Sequence, residues 1–228
     1  MNITFQGHSC FTVEIGSNRL IIDPFLNGNP VAELKPEDVE CDYIIITHGH
    51  GDHIGDSIAI AKNNDAMIVS NYEIITYAQQ NGVKNAHPMH IGGAHEFPFG
   101  RVKFTIAHHG STLTTDKGMI PLGNPMGVLI TGNGKTLYHS GDTGLFLDMQ
   151  LIGEMNRIDT ALLPIGDNFT MGVDDAVKAA EFLKAKVTIP MHYNTFDLLN
   201  QNANDFIGKL AKKGLEAHIL NVGDSYEF

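Results

Sequence analysis

Residues 43–53 read YIIITHGHGDH. The apolar run through Thr47 has the character of a strand buried on both faces. It passes directly into His48-Gly49-His50-Gly51-Asp52-His53, three imidazoles and a carboxylate within six residues. Neutral imidazole and carboxylate are good ligands for zinc and other first-row cations. In an extended segment, residues two apart point the same way, so His48 and His50 can grip one ion. Asp52 and His53, further round the turn, can face a second. The glycines permit backbone angles that other residues resist. A polar loop that merely contains histidine has no reason to adopt H-x-H-x-D-H spacing.

Outward from this motif, strands and helices alternate. The stretches 3–5, 11–15 and 20–22 are rich in β-formers, with Gly16-Ser17-Asn18 as a hairpin turn between the last two. Helix 56–62, strand 67–70 and helix 72–80 follow, the last stopped by Asn81-Gly82. Residues 101–107 alternate as a strand, and 108–125 read as a long loop of the kind that often carries function. The second half repeats the theme. Strands 128–131 and 136–139 flank Gly132-Asn133-Gly134, a strong hairpin signal. Helices at 145–155, 174–183 and 205–213 then alternate with strands at 161–165, 187–190 and 216–220. The expectation is one α/β domain over 1–228, built of two half-domains (about 1–120 and 121–228). Two mixed sheets packed face to face with helices outside would bury both sets of strands.

Three more segments place metal-ligating residues at the ends of expected strands, where α/β sheets gather their sites. Ala107-His108-His109-Gly110-Ser111 offers one histidine to complete the first ion's set. Adjacent residues on a strand face opposite ways, so at most one is a ligand, and periodicity does not choose. Gly141-Asp142-Thr143-Gly144 alone would be a turn, but beside an H-x-H-x-D-H motif Asp142 becomes a candidate bridging carboxylate. His192, in Met191-His192-Tyr193-Asn194-Thr195, is the natural last ligand.

Composition narrows the function. Lys plus Arg is 15 and Asp plus Glu is 26, a formal charge of −11 with no dense basic run. Such a chain repels phosphate backbones, so no nucleic-acid partner is expected. Charged residues at 18% and hydrophobic residues at 43% argue against disorder. Cys10 and Cys41 form no C-x-x-C pair and read as buried free thiols. The start, MNITFQGHSCF, has neither a basic nor a long apolar segment. No stretch nears the ~20 apolar residues of a membrane span, so a cytoplasmic protein without a membrane partner is expected. Homo-oligomer formation is left open.

The order HGHGDH, HHGS, GDTG, MHYNT resembles the metallo-β-lactamase fold superfamily. Within it the chain is similar to small bacterial and archaeal metal-dependent hydrolases related to L-ascorbate-6-phosphate lactonase. Gly7-His8-Ser9-Cys10-Phe11, Tyr138-His139-Ser140-Gly141-Asp142-Thr143 and residues 164–171 (PIGDNFTM) carry that likeness, which covers nearly the whole chain. The resemblance implies a four-layer αβ/βα sandwich with a two-metal site between the sheets. It implies His48, His50 and His109 as ligands of the first ion, Asp52, His53 and His192 of the second, and Asp142 as the bridge. It favours His109 over His108 because the family's third histidine stands just before Gly-Ser. True β-lactamases match poorly: they are usually secreted and carry cysteine where this chain has Asp142.

The expected activity is hydrolysis of an ester, lactone or phosphodiester bond in a small-molecule substrate. Two divalent ions, Zn2+ or Mn2+ with Fe also compatible, would share a bridging hydroxide and stabilise the developing oxyanion. Asp52 and Asp142 would orient the nucleophile. His8 and His139 are candidates to protonate a leaving group or hydrogen-bond a ligand; the alternative for each is a structural histidine paired with backbone. Asp167, Asn168 and Thr170 either line the pocket or cap the next helix. The alternative functions are a phosphodiesterase acting on nucleotides or lipids and a non-catalytic, metal-stabilised binding module.

Overall fold

In the computed structural model, which describes residues 1–228, the apolar run at 43–47 contributes a short central strand, β4 (Tyr43–Ile45). It lies in a seven-stranded sheet with β1 (Asn2–Gly7), β2 (Cys10–Ile15), β3 (Asn18–Ile22), β5 (Met67–Asn71), β6 (Ala86–Met89) and β16 (Ser225–Glu227). The strand order is β16-β1-β2-β3-β4-β5-β6, antiparallel from β16 to β3 and parallel from β3 to β6. The second sheet holds β7 (Ala94–Phe97), β8 (Gly100–Ile106), β11 (Met126–Gly132), β12 (Lys135–His139), β13 (Thr160–Pro164), β14 (Val187–Met191) and β15 (Glu216–Ala217). Its order is β15-β14-β13-β12-β11-β8-β7, with β12 to β15 parallel.

Period-2 alternation divides each strand between two cores. Leu20, Ile22 and Ile45 face the opposite sheet and join Phe11, Phe104, Val128, Leu162 and Ile189 in a buried cluster of 23 residues. Ile21 and Ile44 face outward, where α2 (Ser57–Asn64) and α3 (Tyr72–Gln80) cover them with Ile60, Ile74 and Ala78. On the far side α4 (Asp148–Met155), α5 (Val173–Leu183) and α6 (Ala203–Ala211) cover Tyr138, Ala161 and Leu163 with Met149, Ala176 and Phe206. The result is the four-layer sandwich. No helix is long and apolar enough to cross a membrane.

The departures from the sequence reading have local causes. The chain changes sheets between β6 and β7, well before the boundary expected near residue 120, and β16 returns to the first sheet. The short β6 carries Pro88, which an edge strand tolerates because that N–H is not needed for a ladder. Residues 108–125 are not a plain loop but contain a separate hairpin, β9 (Thr112–Thr115) and β10 (Gly118–Pro121). The expected loop after His50 includes one helical turn, α1 (Gly51–Ile54). Between β11 and β12 the turn forms as read: Asn133 (φ 52°) and Gly134 (φ 74°) both adopt the left-handed conformation of a type I′ hairpin.

At the N-terminal edge of the parallel strands, buried Asp159 accepts the Thr136 N–H (2.9 Å) and the Lys186 ammonium (2.6 Å), tying β12, β13 and β14 together. Burial raises the Asp159 pKa, but Lys186 and the Thr136 N–H outweigh it and the net direction is down. Asp159→Ala should cost about 1–3 kcal/mol in a urea titration at neutral pH. A folded pKa below the unfolded one means the contribution is full above the ordinary aspartate value near ~3.9 and disappears as pH falls through the lowered one. The wild-type and variant midpoints should therefore converge in acid; a constant gap would assign the loss to packing.

Candidate metal centre

Strand C-terminal ends deliver the side chains of this site to one cleft. Asp23 follows β3, the segment 46–53 follows β4, His109 follows β8, Asp142 follows β12 and His192 follows β14. Several of these residues leave their strands through left-handed backbone: Asp23 (φ 46°) and His192 (φ 55°), with His8 (φ 58°) opposite them. Non-glycine residues resist this conformation, which concentrates where a site re-aims side chains. Glycine is obligatory at 49, because a Cβ there would lie 2.5 Å from the Leu122 Cβ.

Two donor sets reach the cleft, and a third, overlapping group, Asp23, His48 and His53, is fully buried. The donor atoms of His48, His50 and His109 lie within 4.8 Å of one another, as do those of His8, Asp52, His53 and His192. Asp142 joins the sets: its Oδ2 is 2.9 Å from His192 Nε2, 3.2 Å from His53 Nε2 and 3.5 Å from His109 Nε2. His48 Nε2 is 3.1 Å from His50 Nδ1. Ligands about 2.0–2.1 Å from a tetrahedral zinc would stand roughly 3.3 Å apart, so these separations suit a shared cation. His53 Nε2, both nitrogens of His192 and Asp142 Oδ1 are buried without any hydrogen-bond partner. Buried polar atoms left unpaired are costly unless a ligand satisfies them, and two of these, His53 Nε2 and His192 Nε2, both face Asp142. The donor set therefore fits divalent metal.

Burial lowers the pKa values of His48, His50 and His109, keeping these imidazoles neutral as ligation requires. Burial opposes ionisation of Asp142 too, but His192 and His53 overcome it and hold the carboxyl well below the usual range. For Asp52 burial is likewise outweighed, here by the His8 hydrogen bond and His53. His53 is also pushed down by burial, yet the flanking Asp142 and Asp23 charges reverse the direction and raise it. A group that the protein surrounds with negative charge on both sides is a natural cation seat.

Of the residues read from sequence as ligands, His48, His50, Asp52, His53, His109, Asp142 and His192 all lie in this cluster. His108 does not: it is exposed and its ring stacks on Phe146 at 4.8 Å. His8 reaches Asp52 through Nε2 (3.1 Å) and Thr195 through Nδ1 (2.9 Å). His139, read as a catalytic candidate, takes the other alternative. Its Nε2–H donates to the Ser9 carbonyl and its Nδ1 accepts the Gly141 N–H. With both nitrogens engaged by main chain, it shapes the Asp142 loop and has no free atom for chemistry. Asp167, Asn168 and Thr170 do not line the cleft; their neighbour Phe169 does.

Asp23 was not legible as a site residue. It accepts the Thr47 N–H (2.8 Å), the Thr47 hydroxyl (2.6 Å) and His53 Nδ1–H (2.8 Å), while Thr47 in turn accepts His48 Nδ1–H (3.0 Å). One buried carboxylate thereby sets the tautomer and ring direction of a histidine in each donor set. The available signal was its position, an acid directly after the apolar strand 20–22. Supports of this kind are worth about 10- to 100-fold in metal affinity. Asp23→Asn should weaken Zn2+ binding by that factor in a chelator competition; unchanged affinity would remove Asp23 from the site.

The Beta-lactamase superfamily domain model matches residues 18–193. The chain belongs to the metallo-β-lactamase superfamily of metal-dependent hydrolases. A UPF0173 metal-dependent hydrolase of Geobacillus sp. (strain WCH70) is 54% identical over 228 residues, covering all of both chains. Another, from Bacillus mycoides (strain KBAB4), is 52% identical over 99% of this chain and 98% of its own. Among solved structures, the metallo hydrolase Igni18 of Ignicoccus hospitalis superposes with a TM-score of 0.90 at 36% identity, covering 100% of this chain and 98% of that one. This chain is thus a metal-dependent hydrolase, and its His/Asp cluster is a candidate metal-binding group.

Proposed function

We propose that this hydrolase works with two divalent cations and cleaves an ester, lactone or phosphodiester bond of a small molecule. The observation that carries the reading is the position of Asp142 Oδ2, within 3.5 Å of imidazole nitrogens from both donor sets. His48, His50 and His109 would hold one ion, Asp52, His53 and His192 the other, with Asp142 common to both. When bound, such a pair supplies an acidified water and electrophilic stabilisation of the developing oxyanion. An all-nitrogen and oxygen set suits Zn2+ and Mn2+, and Fe is compatible.

The chain's own residues do the positioning. Burial drives the His8 pKa down to about 4, so its ring is neutral. It donates Nε2–H to Asp52 and accepts from Thr195, which fixes the Asp52 carboxylate at the cleft floor. Asp52 remains partly open to the cavity, where it can accept a hydrogen bond from the attacking water and orient it. His8 thus acts through Asp52 and not on the leaving group.

Metal-stripped protein, titrated separately with Zn2+ and Mn2+, tests the proposal on a lactone panel, p-nitrophenyl esters and bis-p-nitrophenyl phosphate. Activity should be absent without metal and reach its plateau at two equivalents. A plateau at one equivalent would contradict the dinuclear reading. Tight metal binding with no turnover of any substrate would leave a metal-stabilised binding module. Turnover confined to bis-p-nitrophenyl phosphate would make the protein a phosphodiesterase.

A further inference from the structure

The cleft above the donor sets has a volume of about 280 Å³ and eight lining residues. Five of these are donors already described; the other three are Phe169, Phe196 and Leu199. No lysine, arginine, amide or hydroxyl lines it. Apart from the donors, the side chains that line it are all hydrocarbon.

The two phenylalanines are distinctive. Of 12 in the chain, only Phe169 (56%) and Phe196 (41%) are strongly exposed, and both stand at this mouth. Phe196 is held against His8 (centroids 5.8 Å) and Phe25 (6.3 Å), while Leu199 is buried behind it. Phe169 is presented by Asp167 (φ 60°) and Asn168 (φ 24°), two successive non-glycine residues in positive φ. That turn is pinned by Asp167 N–H to the Met171 carbonyl (3.0 Å) and Met171 N–H to the Thr143 carbonyl (3.0 Å), one residue from Asp142. Backbone strain of this kind persists where the fold over-determines it and marks functional sites. Here it holds a large apolar ring in water beside the metal centre, which is unfavourable until something apolar covers it.

We infer that the substrate portion remote from the scissile bond is uncharged and apolar, an alkyl or acyl chain seated between Phe169 and Phe196. A remote phosphate or carboxylate would find no counter-charge among the lining side chains and would meet a chain of net charge −11. The apolar walls supply binding to a hydrocarbon chain, as small-molecule pockets generally do. This deepens the hydrolase reading above and rests on it for the scissile bond, but the pocket's preference is measurable without turnover.

The test uses metal-loaded protein and two length-matched pairs that differ only in a terminal carboxylate. In calorimetry, hexanoate should bind about tenfold or more tightly than adipate. In turnover, kcat/KM for p-nitrophenyl hexanoate should exceed that for mono-p-nitrophenyl adipate by about tenfold or more, and that for p-nitrophenyl acetate by a similar factor. The double variant Phe169→Ala/Phe196→Ala should shrink the hexanoate-to-adipate binding ratio below about threefold. Equal or reversed binding of the two acids, or binding of neither, would overturn the inference. Preference for hexanoate with no hydrolysis of any ester would retain the apolar pocket and defeat the hydrolytic reading instead. Hydrolysis that favours the adipate ester would do the opposite.

Discussion

Asp142→Ala should reduce bound metal from two equivalents to one or fewer and lower kcat/KM on the order of 10³-fold. Asp142 Oδ2 lies 2.9, 3.2 and 3.5 Å from nitrogens of His192, His53 and His109, so its loss affects both donor sets. It is also 2% exposed, and its removal leaves His53 and His192 facing each other without the anion between them. Asp142→Asn preserves the volume and removes the charge. It should keep more metal than the alanine variant while losing most activity, because an amide is a weaker ligand than a carboxylate. Far-UV circular dichroism should be native for both, since the hydrophobic layers do not involve this residue. Two retained equivalents in Asp142→Ala would mean that Asp142 does not link the ions.

His109→Ala and His108→Ala should separate by about two orders of magnitude although the residues are adjacent. His109 lies 4.9 Å from the His50 ring and 5.2 Å from the His48 ring, centroid to centroid, and faces the cleft. Its removal takes one of three imidazoles from the first donor set, and activity should fall about 10²- to 10³-fold with loss of one equivalent of metal. The His108 side chain stacks on Phe146 outside the cleft. Only its backbone serves the site, through N–H to Thr143 Oγ1 (3.0 Å) and its carbonyl to Gly144 N–H (3.1 Å), and alanine keeps both. A change within about threefold is expected for His108→Ala, as for ordinary surface positions. The reverse ranking would show that the other imidazole is the ligand.

The difference between these neighbours illustrates what the sequence could and could not express. Alternation after an expected strand says that His108 and His109 face opposite ways but not which way is inward; only the likeness of HHGS to a family pattern favoured His109. The H-x-H-x-D-H cluster was legible because its chemistry is local, as were β3, β4 and the Asn133-Gly134 hairpin, each fixed by neighbours in the chain. Asp23 was not, since its role depends on Thr47 and His53, 24 and 30 residues away. His139 was over-read for the same reason: a histidine next to a GDTG turn resembles a proton donor until the Ser9 carbonyl, 130 residues distant, is seen to occupy it. The strands β6, β7 and β16 are short and polar or contain proline, so pairing partners and not propensity create them. Phe169 looks like any aromatic residue in sequence; its exposure comes from a turn whose positive φ values no composition announces.

Diffraction from metal-loaded crystals, collected on both sides of the zinc and manganese absorption edges, bears most directly on the centre. Two anomalous peaks should appear, one among His48, His50 and His109 and one among Asp52, His53 and His192, each within bonding distance of Asp142. A single peak, or density for metal only away from these side chains, would contradict the two-cation account.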